Sequence, residues 1–153
     1  MKTVLLLAAF VVLLDQGSKE LALSLLAGAP VPVLDPCFEL RLVHNPGAAW
    51  GMLAGRRFVL AGVSAAMLAL LAWNRRDLCA TRLSRLASGL LAGGIVGNLV
   101  DRVFRAGGRV VDFLHVHWRD AWDFPTFNVA DSAITVGVAL LLLASLPCFR
   151  AKR

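Results

Sequence analysis

Charge is scarce in this chain. Only 17% of its 153 residues are Asp, Glu, Lys or Arg, against 58% hydrophobic, and the mean hydropathy is +0.71. That balance excludes an ordinary soluble domain. Cysteine is sparse too: Cys37, Cys79 and Cys148 are odd in number and fall in different segments, so no disulfide framework follows. None has a local base to lower its pKa, and all three read as packing residues. There is no Gly-x-Ser-x-Gly elbow and no histidine inside a long apolar run, which argues against a serine nucleophile activated by histidine. Low-complexity tracts and repeats are absent. The net charge of +6 comes from scattered basic residues with no soluble domain to present them, so no nucleic-acid partner is expected.

What the chain does have is long apolar runs: Thr3 to Leu14, continuing past a polar break to Ala29; Phe58 to Trp73; Leu86 to Val100; and Ala133 to Phe149. Each approaches the roughly 20 residues a helix needs to cross about 30 Å of hydrocarbon. The expected architecture is an all-α membrane protein, a four-transmembrane-helix bundle with a small extramembrane β-rich segment. It forms a single domain, 1–153, with spans at about 4–29, 58–74, 86–104 and 132–149, and extramembrane segments at about 30–57 and 105–131. The first run also resembles a secretory signal with a small-residue site at Ala27-Gly28-Ala29, but Asp15, Lys19 and Glu20 interrupt it well before that point. Twelve apolar residues cover only about 18 Å, so a crossing helix carries Asp15 and Lys19 within or near the membrane, facing protein.

Orientation is not fixed by a count of basic residues. With a cytoplasmic N-terminus, Lys2, Arg75, Arg76, Arg82, Arg85, Arg150, Lys152 and Arg153 lie inside. Lys19, Arg41, Arg56, Arg57, Arg102, Arg105, Arg109 and Arg119 then lie outside or in the outer half, eight against eight. The inside set sits at bare helix ends in short loops, where the positive-inside rule applies best, and this decides for cytoplasmic termini. Between the first two spans, the alternation in Phe38-Glu39-Leu40-Arg41-Leu42 fits an amphipathic strand or small sheet at the membrane surface. Trp50, Trp73, Trp118 and Trp122 suit the interface, where an amphipathic ring sits well.

Polar residues then appear in a pattern. Gly89, Gly93 and Gly97 recur every four residues and leave a smooth stripe for a close helix neighbour. Beyond it, Asn98, Asp101, Arg102 and Arg105 share one helical face, and Asn128, Asp131, Ser132 and Thr135 repeat the same offsets in the fourth span. Asn98 and Ser132 are equally readable as groups that tie helices together. Asp101 has Arg102 and Arg105 as neighbours, and Asp15 and Lys19 pair at i and i+4, so ion pairs explain these. Asp112 and Asp131, 19 residues apart, have no cation in their own motifs. An ionisable group in such a place without a partner is a functional hypothesis by default. Burial disfavours a charged carboxyl, and two carboxyls forced together cannot both ionise easily, which is the starting state of a general acid and base pair.

Two further elements stand out. Asn45-Pro46-Gly47-Ala48-Ala49-Trp50 reads either as a turn along which a peptide lies or as a tight connection into the second span. His115-Val116-His117 is metal-like, because i and i+2 point the same way in an extended strand, and His44 or the aspartates are the candidates to complete it. Next to Trp118 it reads instead as an interfacial loop, and no metal or cofactor is expected. Two rival functions share these features: a proton or cation path through Asp15, Asp101, Asp112 and Asp131, and an assembly subunit that binds a partner helix along the glycine stripe.

With Asp15-Gln16-Gly17-Ser18-Lys19, Asn45 to Trp50, Gly94 to Arg102, Val110 to Phe113 and Phe127 to Ser132 in order between four apolar spans, the chain resembles bacterial lipoprotein signal peptidases of type II, the aspartyl peptidase family A8. The resemblance covers almost the whole chain. It implies a peptidase of the bacterial inner membrane with its active site toward the periplasm and both termini cytoplasmic. Such an enzyme removes signal peptides from diacylglyceryl-modified prolipoproteins, cutting just before the lipidated cysteine. It implies Asp112 and Asp131 as the catalytic dyad, with Asp15, Lys19, Asn45, Gly47, Asn98, Asp101, Arg102, Asn128 and Ala130 supporting the site or contacting substrate. The implied partners are lipid-modified prolipoproteins and membrane lipid, with no cofactor, no nucleic acid and a monomeric enzyme. Trp50 departs from the family's usual phenylalanine.

Overall fold

A computed structural model describes residues 1–118 and 121–146. Along the chain run helix α1 (Lys2–Leu25), strands β1 (Val31–Leu34) and β2 (Phe38–Asn45), and helices α2 (Arg57–Trp73), α3 (Arg75–Leu78) and α4 (Arg82–Phe104). Strands β3 (Val110–Trp118) and β4 (Trp122–Asp123) and helix α5 (Val129–Ser145) follow. The expected first span is cut short at Leu25. Gly28 and Pro30 follow, and a residue before proline is pushed out of the helical region. Cys148, Arg119, Arg150, Lys152, Arg153 and the end of the expected fourth span lie outside the described residues.

The glycine stripe of α4 lies against α1. A methyl on Gly89 would stand 2.9 Å from Leu7 Cδ2, one on Gly93 2.7 Å from Val11 Cβ, and one on Gly97 2.6 Å from Asp15 Oδ2. Both sequence numbers climb together, so α1 and α4 run parallel. On its other side α4 meets α5: Gly94 abuts Ala130 and Ile134, and Gly137 abuts Leu91 and Ala87. There the numbers run in opposite senses, so α5 is antiparallel to α4. Helix α2 packs on α4 as well, which makes α4 the central helix.

Polarity is turned inside out relative to a soluble protein. Asp15, Lys19, Asp101 and Asn128 are fully buried, whereas Leu6, Leu13, Phe58 and Leu142 expose 64–77% of their surface. So much apolar surface facing outward requires an apolar surrounding. By length and composition α4 alone, among the described residues, is apolar enough to cross a membrane; α2 and α5 are apolar but have 17 residues each. That is the lower end of the roughly 17–25 that suffice. Helix α1 has 24 residues and carries Asp15, Lys19 and Glu20.

The strands form one antiparallel sheet in the order β1-β2-β3-β4. Since β1 and β2 follow α1 and precede α2, and β3 and β4 join α4 to α5, the sheet caps one end of the helix layer. Pro32 is tolerated because β1 is an edge strand. Strand β3 is central: Val110 to Phe113 are all buried, without alternation. The sheet is fastened to α1 by Phe113 packing with Ala22 and Leu26. The expected loop at His115-Val116-His117 is instead strand, because Val116 pairs with Phe38 and His117 with Asp123. Long-range pairing of this kind leaves no local mark.

Candidate active site

Two elements deliver the unpaired carboxylates to one place. Asp112 stands on β3 opposite Val43 and is 1% exposed. Two residues further along β2, on the same face, Asn45 donates its side-chain amide to Asp112 Oδ2 at 3.0 Å. Asp131 occupies the first turn of α5, where Asn128 is the N-cap. Asn128 Oδ1 accepts from the Asp131 N–H at 2.9 Å, and Asp131 Oδ2 accepts from the Asn128 N–H at 3.2 Å, a reciprocal capping box. The Asn128 amide also donates to Asp112 Oδ1 at 2.7 Å, so one residue touches both acids. Asn98 on α4 donates to Asp131 Oδ1 at 2.7 Å. Among the described residues neither carboxylate takes an ion-pair partner. Burial first, and then the charge of Asp131, push the Asp112 carboxyl up to about 7 against the opposing effect of the amides of Asn45 and Asn128.

Behind this pair lies a buried ionic layer. Lys19 Nζ is 2.8 Å from Asp15 Oδ2, 2.8 Å from Asp101 Oδ2 and 3.0 Å from Asn98 Oδ1, which uses all three of its protons. Each acid then reaches onward. Asp15 Oδ1 accepts from the Ala130 N–H at 2.9 Å, which holds the start of α5. Asp101 Oδ2 accepts from the Val111 N–H at 3.2 Å, which holds β3 beside Asp112. A charge layer so fully paired is costly to break from one side only. Gln16, which sequence reasoning passed over, donates to Asp15, to the Gly97 carbonyl and to Asp101. Its place within Asp15-Gln16-Gly17-Ser18-Lys19 was the available signal.

Arg102 donates to the carbonyls of Asn98 at 3.2 Å and Gly47 at 3.3 Å, while its buried Nε finds no partner. The expected pairing of Asp101 is thus corrected in part: Arg105, one turn on, reaches Asp101 at 2.7 Å, whereas Arg102 points elsewhere because adjacent helical residues diverge. Ser132 turns back to the Asn128 carbonyl within its own helix, so of the two expected ties only Asn98 bridges helices. Gly47 donates its N–H to Asn45 Oδ1 at 2.9 Å. His44 is exposed and lies across from Val111, remote in register from His115 and His117. Cys37 and Cys79 are free thiols.

Asp112, Asp131, Asn45, Asn98 and Arg102 line a cavity of about 970 Å³. Its apolar wall comes from α2 (Leu60, Val63, Met67), α4 (Ile95) and α5 (Ile134, Val136). Trp50, 75% exposed and with a φ of 53°, and Phe124 to Phe127 stand at the same cavity. Polar groups gather at the sheet end, with hydrocarbon beneath.

The family model for signal peptidase (SPase) II matches residues 7–147. A lipoprotein signal peptidase of Symbiobacterium thermophilum is 45% identical over 141 residues, 91% of this chain and 91% of that protein. One from Geobacillus thermodenitrificans is 41% identical over 140 residues, 90% of this chain and 86% of that protein. A solved structure of a bacterial membrane enzyme superposes with a TM-score of 0.84 at 32% identity, covering 100% of this chain and 94% of that one.

Proposed function

The chain belongs to the signal peptidase II family of proteases, hydrolases that remove signal peptides from prolipoproteins, and from that footing we propose that Asp112 and Asp131 are its catalytic dyad. The observation that carries this reading is a pair of carboxylates, Asp112 buried and Asp131 half-buried, without ion-pair partners among the described residues, facing one cavity and linked by Asn128. One ionised aspartate takes a proton from a water held between the two. That water attacks the scissile carbonyl while the protonated partner stabilises the oxyanion and then protonates the leaving amine. The titration belongs to the pair, and Asp112, held near neutrality by burial, fits a dyad that keeps one proton at physiological pH.

The cavity supports the substrate. A diacylglyceryl-modified cysteine keeps its acyl chains in hydrocarbon along Leu60, Val63 and Met67 while its amide reaches the aspartates at the sheet end. Entry is lateral, between helices, and the 30–57 segment clamps the peptide from above. Asn45, Asn98 and Asn128 position the acids; Asp15, Lys19, Asp101 and the Ala130 N–H hold the elements that carry them; Gly47 and Arg102 join the clamp to α4.

Four membrane crossings fit the packing. Parallel α1 and α4 need a return between them, which α2 supplies, and antiparallel α5 brings its last residue, Ser145, back to the side where α1 begins. The sheet then faces the periplasm with both termini cytoplasmic, in the inner membrane of a bacterium. We take the enzyme to act as a monomer, on a site built from one chain. The acids gather at one end of the bundle, which argues against a conducting path. The test is cleavage of a diacylglyceryl-modified prolipoprotein by protein purified in detergent. Asp112→Asn and Asp131→Asn are each expected to abolish it, and cleavage that survives either substitution overturns the dyad.

A further inference from the structure

The extramembrane sheet carries a second constellation that peptide hydrolysis leaves unused. Glu39 on β2 lies directly across from His115 on β3, and Asp123 on β4 directly across from His117. Partners opposite one another, and residues two apart on one strand, project from the same face, so these four side chains converge. Asp112, three residues before His115, belongs to the other face of β3. His115 is 3% exposed, with Nδ1 2.9 Å from Glu39 Oε1 and Nε2 2.8 Å from Asp123 Oδ1. The rings of His115 and His117 stack with centroids 5.0 Å apart and planes 12° from parallel. One donor atom each from Glu39, His115 and His117 fall within 4.8 Å of one another.

With a carboxylate oxygen at hydrogen-bond distance from each ring nitrogen, a neutral His115 can donate to only one of them, and a metal ion shared by Nδ1 and Glu39 is an arrangement that satisfies both sides. Among the described residues Arg41 lies at the edge of the cluster, with Nε 3.9 Å from Glu39 Oε1. We propose that Glu39, His115 and His117 bind a divalent transition-metal ion, with Asp123 holding the far nitrogen of His115. Two imidazoles and a carboxylate form a borderline donor set that suits Zn²⁺, Co²⁺, Ni²⁺ or Cu²⁺ and not Mg²⁺ or Ca²⁺, which demand oxygen shells. The 2.9 Å between His115 Nδ1 and Glu39 Oε1 compares with an edge of about 3.3 Å in a tetrahedron with 2.0–2.1 Å bonds. The half-buried His117 ring closes the remaining gap by rotation, and water takes the fourth position. Asp123 on Nε2 is the carboxylate–histidine–metal relay that orients metal-bound imidazoles. The ion ties β2, β3 and β4 together, and because Phe124 to Phe127 lead straight from β4 to Asn128, it steadies the outer wall of the cavity without touching the dyad.

The experiment is a Co²⁺ titration of the purified, detergent-solubilised protein carrying no oligohistidine tag, followed by visible absorption, with Zn²⁺ stoichiometry from equilibrium dialysis. The expected result is one saturable equivalent at micromolar affinity, weakened at least about tenfold by His117→Gln and by Glu39→Gln and unchanged by Asp112→Asn. Thermal unfolding in metal-free buffer identifies any variant that has lost its fold; either of the two ligand substitutions alone then decides. Absence of saturable binding, binding of wild-type strength in the folded ligand variants, or loss of binding in Asp112→Asn overturns the site.

Discussion

The side-chain amide of Asn128 stands 2.7 Å from Asp112 Oδ1. The same residue caps α5 and exchanges hydrogen bonds with Asp131, so one side chain sets the distance between a strand-borne and a helix-borne carboxylate. Asn128→Asp separates those duties. An aspartate still caps the helix, but a buried donor to Asp112 becomes a third carboxylate, so kcat is expected to fall by about 10² or more and the unfolding temperature falls most where that carboxylate is ionised. Asn128→Ala loses the cap, at about 1 kcal/mol, but adds no charge, so its loss of stability should not grow with pH, which distinguishes the two variants.

The pH dependence has a definite sign. The Asp112 carboxyl rises from 3.8 to about 7 on folding, so the folded protein holds this proton more tightly than the unfolded chain does. Its contribution to stability is complete below about pH 4 and is lost as pH climbs toward 7. Asp112→Asn cannot ionise; it should match wild type in thermal unfolding near pH 4 and exceed it near pH 8, by on the order of a few kcal/mol. If Asp112 and Asp131 act as the proposed dyad, the same titration predicts that kcat/KM declines above about pH 7 as the pair loses its proton.

Lys19 is the hub of the buried charge layer, bound to Asp15 and Asp101 at 2.8 Å each. Lys19→Met leaves Asp15 uncompensated and Asp101 with Arg105 alone, a destabilisation of about 3–5 kcal/mol. Adding Asp15→Asn removes the stranded charge, so the double variant is expected to unfold at a higher temperature than Lys19→Met. Additive losses in the two-residue cycle would show that the ion pair is not the coupling element.

Local periodicity carried much of this arrangement. The i, i+4 spacing of Asp15 and Lys19 anticipated their ion pair, and the four-residue repeat of Gly89, Gly93 and Gly97 anticipated a close helix neighbour, though not that α1 is the one. Both are properties of one helix face, so a single segment of sequence contains them. What sequence could not show was which strand lies beside which. Glu39 meets His115 only because β2 pairs with β3, across 76 positions. The same pairing made His44 a wrong guess as their partner: in an antiparallel register it belongs opposite Val111, at the other end of the strand. Likewise nothing local says that Asp101 holds the Val111 N–H, the bond that sets Asp112 in place.

Gly47 is held by contact more than by conformation. A Cβ there would lie 2.7 Å from the Met52 carbonyl oxygen and 3.0 Å from the backbone of Gly51, and backbone cannot swing away as a flexible side chain would. The displaced loop carries two bonds with it: the Gly47 N–H to Asn45, which orients the amide on Asp112, and the Gly47 carbonyl to Arg102. Gly47→Ala is therefore expected to lower kcat/KM for a lipidated substrate by about 10²-fold through misplacement of Asn45. The unfolding temperature should shift by no more than a few degrees, because, among the described residues, those that move are hydrogen-bonded to α4 only through Arg102 and take no part in the α1–α4–α5 helix contacts. A variant with unchanged kcat/KM would show that this loop takes no part in placing the dyad, whereas a large fall in unfolding temperature would make it a structural strut.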